Sequence, residues 1–180
     1  EKTLVRPQEF YNSKNIAVNL NTKIKEIDPE KNTISTESAE THKYDNLVIA
    51  TGSRARELRI PGSELNGIHY LRSLRDVDSI RTEMRTAKEI CIVGGGYIGL
   101  EVAAVASVLG LKVTVLEMES RILKRVTTAK MSEFYHALHT KKGVNIVCGA
   151  QVKSFEGEST VSSIVTEEKI FKSDLVIVGI

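Results

Sequence analysis

Tryptophan is absent, and aromatic residues make up only 5% of the 180-residue chain. So few rings offer no platform for stacking bases. No charge of one sign dominates: 25 basic residues stand against 23 acidic ones, a formal net charge of +2, and the basic residues are not bunched into one stripe. Nucleic acid is therefore not an expected partner. Long hydrophobic runs are missing as well. No stretch approaches the ~20 apolar residues of a bilayer span, so no membrane partner is expected. Cysteine is scarce: Cys91 and Cys148 are the two present, neither in a C-x-x-C, and they make no disulfide framework. A reducing, cytoplasmic location is the default expectation. There is no internal repeat, no low-complexity segment, no initial Met and no signal-like run after Glu1, a start that reads as a processed or excised piece. What is present is globular in character, 41% hydrophobic and 27% charged. At roughly 150 residues per domain, the length allows one domain, or one plus part of another.

The first forty-odd residues alternate toward strand. Ile16–Leu20, Thr22–Ile27 and Thr33–Thr36, with a turn at Asp28–Asn32, predict a small antiparallel meander. Asn46–Ala50 is apolar on both faces and ends in Thr51-Gly52-Ser53, the pattern of a buried parallel strand. Residues 54–66 carry the turn Ile60-Pro61-Gly62 and read as a connector. Ser73 with Asp76 predicts a capped helix start, and Leu74, Val77, Ile80 and Met84 its apolar stripe. Ile90–Val93 and Leu111–Glu117 are further two-sided strands, separated by a helical pattern that ends at Gly110. A helix over about Thr128–Thr140 offers Met131, Phe134, Tyr135 and Leu138 to a core. Val144–Phe155 and Ser162–Phe171 read as an antiparallel excursion, and Asp174–Gly179 as a last buried strand.

Gly94, Gly96 and Gly99 match G-x-G-x-x-G. The match alone is weak, but its required context is present: a strand before it, a helix after it, and a second strand ending in an acid. Glu117 follows Gly94 by 23 residues, close to the ~20 that the pattern expects. Gly94 permits the tight turn, Gly96 lets backbone approach a pyrophosphate, and Gly99 lets helix pack closely on strand. The helix start offers N–H groups and a positive dipole end to phosphate. Glu117 would accept hydrogen bonds from ribose hydroxyls and repel a 2′-phosphate, which favours NAD(H) over NADP(H). The competing reading is a merely glycine-rich turn. The fingerprint by itself does not separate NAD from FAD.

The stretch Val93–Ala103, including Gly94, Gly95, Gly96, Tyr97, Ile98, Gly99 and Glu101, resembles the second, NADH-binding fingerprint of flavin-dependent ferredoxin and rubredoxin reductases. These belong to the pyridine nucleotide-disulfide oxidoreductase superfamily. Glu9-Phe10-Tyr11, Leu47–Gly52, His69–Arg72 and Asp174–Gly179 match as well, in the right order over nearly the whole chain. The resemblance implies an α/β fold, a Rossmann-like doubly wound parallel sheet with an antiparallel β excursion, beside a partial FAD-domain lobe. It implies a partial FAD-binding domain over residues 1–72 and an NAD(H)-binding domain over residues 73–180. The family's first G-x-G-x-x-G, its later Gly-Asp strand end and its C-terminal domain have no counterpart here, so the chain is expected to be the middle of a larger reductase.

The implied cofactors are NAD(H) and, in the full-length protein, FAD. The implied reaction is hydride transfer from nicotinamide to flavin, followed by electron transfer to a small iron–sulfur ferredoxin or rubredoxin partner. Tyr97 matches an aromatic that covers the flavin until nicotinamide displaces it; the alternative is a ring packed on a neighbouring strand. Glu101, one turn on and flanked by apolar residues, matches a position near the carboxamide; the alternative is a solvated carboxylate. Gly179 matches the loop at the nicotinamide end. Thr51 and Gly52 match a loop near the flavin nucleotide, Arg72 a contact to FAD phosphate or ribose, and Ile24 a backbone position beside adenine. Arg125 either flanks the cofactor's adenosine or belongs, with Arg121 and Lys124, to a solvated basic turn.

His136 and His139 lie three apart, but no third ligand or H-E-x-x-H order accompanies them, so no metal site is expected. Cys91 reads as a small buried hydrophobe. Two other functions compete with the reductase reading. One is another flavoprotein of the same superfamily, an NADH oxidase or a nitrite reductase, whose reactive Cys would lie outside this sequence. The other is a stand-alone NAD-binding module that senses redox state.

Overall fold

The computed structural model describes residues 5–180; residues 1–4 of the expected FAD-binding segment lie outside the described residues. The chain divides into two compact units, Glu1–Gly52 and Ser53–Ile180.

In the first unit, a short helix α1 (Gln8–Ser13) precedes three strands, β1 (Ile24–Asp28), β2 (Thr33–Thr36) and β3 (Thr41–Lys43), paired antiparallel in the order β1-β2-β3. The expected meander is there. Its first turn is built by Asp28, whose Oδ1 accepts the N–H groups of Glu30 and Lys31, both at 3.0 Å. Hydrogen bonds from Lys31 hold the Asp28 carboxyl below its usual range. Two expected strands do not form. Ile16–Leu20 and Asn46–Ala50 are irregular, and Val48 is 86% exposed. A strand apolar on both faces needs ladder partners at its edges and cover above and below. Among the described residues of this unit, neither segment has a ladder partner.

The second unit runs β4 (Ile68–Tyr70), α2 (Leu74–Glu83), β5 (Glu89–Val93), α3 (Tyr97–Val108), β6 (Lys112–Glu117), α4 (Ala129–Lys141), β7 (Asn145–Cys148), β8 (Val152–Gly157), β9 (Val161–Thr166), β10 (Ile170–Lys172) and β11 (Leu175–Val178). A five-stranded parallel sheet has the order β4-β11-β5-β6-β7. An antiparallel sheet β10-β9-β8 forms the excursion. β4 pairs with β11, which is why residues 53–72 join this unit. β7 was expected in the excursion; it continues the parallel sheet instead, because Val115–Glu117 on β6 offer an open edge to Ile146–Cys148.

Alternation within the two-sided strands sorts the core. Ile90 and Ile92 of β5 pack with Val102, Ala103 and Ala106 of α3, with Ile80 of α2 and with Met84 just after it. Cys91 and Val93 face the other way, against Phe155, Val161 and Ile164 of the antiparallel sheet. The parallel sheet therefore carries helices on one face and the excursion on the other. Ser73 and Asp76 form the expected capping box at the start of α2. The apolar stripes are narrower than expected. On α2, Leu74 and Val77 are exposed. On α4, Met131, Phe134 and Leu138 are exposed while Ser132 and His139 are buried. The inward face of α4 runs through Ser132, Tyr135 and His139, and the Ser132 hydroxyl donates to the Ile122 carbonyl (2.6 Å).

Candidate functional site

The sheet order reverses between β5 and β11. From β5 the chain crosses through α3 to β6 on one side; β11 returns on the other. Ligands of open α/β sheets bind outside the carboxyl ends of strands at such a point. Here those ends supply the turn Gly94–Gly96 after β5, Gly179 after β11 and Glu117 at the end of β6. They border a cleft of about 560 Å³.

The glycines of this turn do different things. Gly94 has φ 109°, and a Cβ there would lie 2.5 Å from the Gly179 carbonyl oxygen. At Gly99 a Cβ would lie 2.0 Å from the Gly94 oxygen, so α3 approaches β5 only with glycine at that position. Backbone bonds from Gly94 to Leu116 and from Gly179 to Val93, each 2.8 Å, tie the three strand ends together. Gly96 differs. Its φ is −81°, and a Cβ there would meet nothing within 4 Å. The protein's own packing does not require glycine at Gly96. The position lines the cleft at the start of α3, whose N-terminus has no side-chain cap among the described residues. Its first N–H groups are free for an anion.

Glu117 is 9% exposed. Its Oε2 accepts the Gly95 N–H at 2.7 Å and its Oε1 the Glu119 N–H at 2.8 Å. A carboxylate has about four acceptor positions, so each oxygen keeps one for a ligand hydroxyl. The side chain thus braces the glycine turn as well as lining the cleft. Gly95 lies outside the G-x-G-x-x-G positions yet is equally constrained: a Cβ would come 2.7 Å from Ile122 Cγ2 and 3.0 Å from Glu117 Oε2. The run of three glycines was the one signal for it.

Tyr97 lines the cleft and is 53% exposed; Ile98 beside it is exposed, and Gly99 is buried under the turn. Glu101 is exposed and is not a cleft-lining residue. Its apolar sequence neighbours Leu100 and Val102 point into the core, so they do not enclose it. Arg125 lines the cleft beside Lys124, which pairs with Glu119 at 2.6 Å. That ammonium, with a smaller contribution from Arg125, holds the Glu119 carboxyl below its usual range. Arg121 is no solvated turn residue: its guanidinium donates to backbone and hydroxyl oxygens of its own loop. Arg72 is exposed, donates from Nε to the Ser53 carbonyl (3.0 Å) and lies outside the cleft. Ile24, Thr51 and Gly52 belong to the first unit, where all three are exposed; the cleft is built from the second unit alone. Arg56, Leu58 and Ile60 also line it. Their connector has no periodicity, so the sequence carried no signal for them.

Cys91 is fully buried and burial pushes its thiol pKa up; Cys148 is half-buried and shifted the same way. No cluster of metal-ligating side chains occurs among the described residues. No described helix is long and apolar enough to cross a membrane.

An open parallel sheet with a glycine-rich turn at its switch point, and an acid closing the next strand, places the chain in the α/β class whose members bind nucleotides at that position. Comparison with known proteins narrows this class. The chain belongs to the pyridine nucleotide-disulphide oxidoreductase family, whose profile matches residues 5–180. It is 38% identical over 179 residues to a rubredoxin-NAD(+) reductase of Pseudomonas putida, covering 98% of this chain and 46% of the relative. Putidaredoxin reductase of Pseudomonas putida is 35% identical, with 100% and 44% covered. Among solved structures, the ferredoxin reductase for the CYP199A2 system of Rhodopseudomonas palustris superposes with a TM-score of 0.92 at 32% identity, covering 98% and 44%. The water-forming NADH oxidase of Lactobacillus brevis, bound to NADH, gives 0.84 at 26%, covering 95% and 40%. The chain spans slightly less than half the length of the curated relatives it matches.

Proposed function

We propose that this chain is the NADH-binding region of an FAD-dependent reductase that serves a ferredoxin or rubredoxin. Residues 73–180 carry most of the coenzyme site, with residues 53–72 completing its sheet through β4 and lending Arg56, Leu58 and Ile60 to the cleft; residues 1–72 contribute part of the flavin site. The observation that supports the reading is Gly96, where the fold itself does not call for a glycine, at the uncapped start of a helix on the sheet's switch point. Gly94–Gly96 and the first N–H groups of α3 would hold the pyrophosphate of NADH. Glu117, already fixed by two backbone N–H groups, turns its remaining acceptor positions to the adenosine ribose diol and repels a 2′-phosphate. Arg125 flanks the adenosine end. Tyr97 and Gly179 border the nicotinamide end.

In the full-length protein, FAD would supply the hydride-accepting and electron-passing chemistry. For that cofactor this chain offers Ile24, Thr51, Gly52 and Arg72, and most of the flavin's contacts would come from the rest of the longer protein. This chain is therefore expected to bind NADH without retaining FAD. The rubredoxin-, putidaredoxin- and ferredoxin-reducing relatives support the choice of partner. The buried, hard-to-ionise thiol of Cys91 supports a route without thiol chemistry in this chain.

Calorimetric titration with NADH and NADPH tests the reading. Preferential NADH binding that weakens in Glu117→Ala is expected. Equal affinity for both nucleotides in the wild type would overturn the ribose assignment.

A further inference from the structure

The loop between β6 and α4 is held in a costly shape. Leu123 is only 3% exposed yet has φ 54°, a left-handed conformation that bulky residues avoid. Its N–H donates to the Gly95 carbonyl (2.9 Å), and its own carbonyl accepts the N–H groups of Val126 and Thr127, each at 3.0 Å. Ile122, fully buried, fills the space beside Gly95. The loop thus grips the glycine turn at the middle glycine, while Glu117 takes the N–H of the same residue.

One side chain gathers the far side of this loop. The Arg121 guanidinium donates to the carbonyls of Lys124 (3.1 Å), Thr127 (3.1 Å) and Thr128 (3.4 Å), and to Ser132 Oγ (2.5 Å). Ser132 Oγ in turn donates to the Ile122 carbonyl. These partners are neutral oxygens at the N-terminal end of α4, where a cation opposes the helix dipole. The placement therefore serves the loop rather than the helix. Arg121 itself is not a cleft-lining residue, whereas Leu123, Lys124 and Arg125 are.

We infer that Arg121 is a positioning residue for the cleft: by gathering residues 124–132 it keeps the Leu123 N–H on Gly95 and presents Arg125 at the adenosine end. The inference rests on the reading of this cleft as the coenzyme site. A planar fork serves several acceptors at once, and an ammonium does not replace it.

NADH and ADP-ribose are titrated into wild type, Arg121→Ala and Arg121→Lys, with and without methylguanidinium. Arg121→Ala is expected to weaken both ligands by the same factor, roughly tenfold, as positioned groups are released. Methylguanidinium is expected to restore the alanine variant, and lysine is not. A lower melting temperature with unchanged affinity for NADH would overturn the inference, as would a loss of NADH but not of ADP-ribose. If Arg121→Ala does not fold, amide exchange of wild type decides: NADH slows exchange at Leu123, and unchanged exchange contradicts the inference. Failure of wild type to bind NADH at all would instead remove the coenzyme reading on which it stands.

Discussion

At the residue scale, neighbouring glycines in one turn respond oppositely to the same methyl group. At Gly99 it would drive into the Gly94 carbonyl oxygen at 2.0 Å. Overpacking of that kind costs about 1–3 kcal/mol or more. Gly99→Ala is therefore expected to lower the melting temperature, which differential scanning calorimetry reads. The sequence pattern marks both Gly96 and Gly99 but does not say which one the protein needs and which one the ligand needs; that distinction lives in three-dimensional clearance. A second residue-scale expectation concerns pH. Asp174 accepts the N–H groups of Lys88 (2.8 Å) and Glu89 (3.0 Å). The Glu89 bond, then the Lys88 bond, lowers the carboxyl below its ordinary 3.8. A carboxyl depressed on folding stabilises the protein above its unfolded value and loses that contribution as pH falls through the folded one. The melting-temperature gap between wild type and Asp174→Ala should be full at pH 6, begin to narrow near pH 3.8 and disappear only below the lower folded value, read by thermal melts across that range.

Elements differ in how far composition alone decides them. Ile90–Val93 and Asn46–Ala50 carry the same signal, a short run apolar on both faces, yet only the first is a strand. The parallel neighbours β6 and β11 make the difference, and no local pattern encodes them. Mutations should separate the two runs. Ile92 is fully buried, and Ile92→Ala is expected to cost about 2–5 kcal/mol in denaturant melts. Val48 is 86% exposed, and Val48→Lys is expected to change stability by less than about 0.5 kcal/mol. The start of α2 was legible in full, because a capping box is a contact between residues three apart and needs no tertiary partner. The facing of α4 was not. Its apolar residues suggested one inward stripe, while the face turned inward carries Ser132, bonded to the Ile122 carbonyl, and His139.

At the scale of the whole molecule, the parallel-sheet unit was readable around its glycine turn because the signals there are sequential: strand, glycine turn, helix, strand, acid. The connector's share of the cleft, Arg56, Leu58 and Ile60, reaches it only through tertiary folding and left no periodic trace. The division at Gly52 likewise follows from β4 pairing with the distant β11, a contact between residues about a hundred positions apart. The proposed function stands on a pyrophosphate seated at the turn Gly94–Gly96. Gly96→Val is the variant to compare, since the substituted side chain starts in open space at an unstrained φ on a residue that lines the cleft. Calorimetric titration of NADH should show saturable binding to the wild type and a loss of roughly tenfold or more in Gly96→Val, at an unchanged melting temperature. Equal NADH affinity in the two proteins would contradict it.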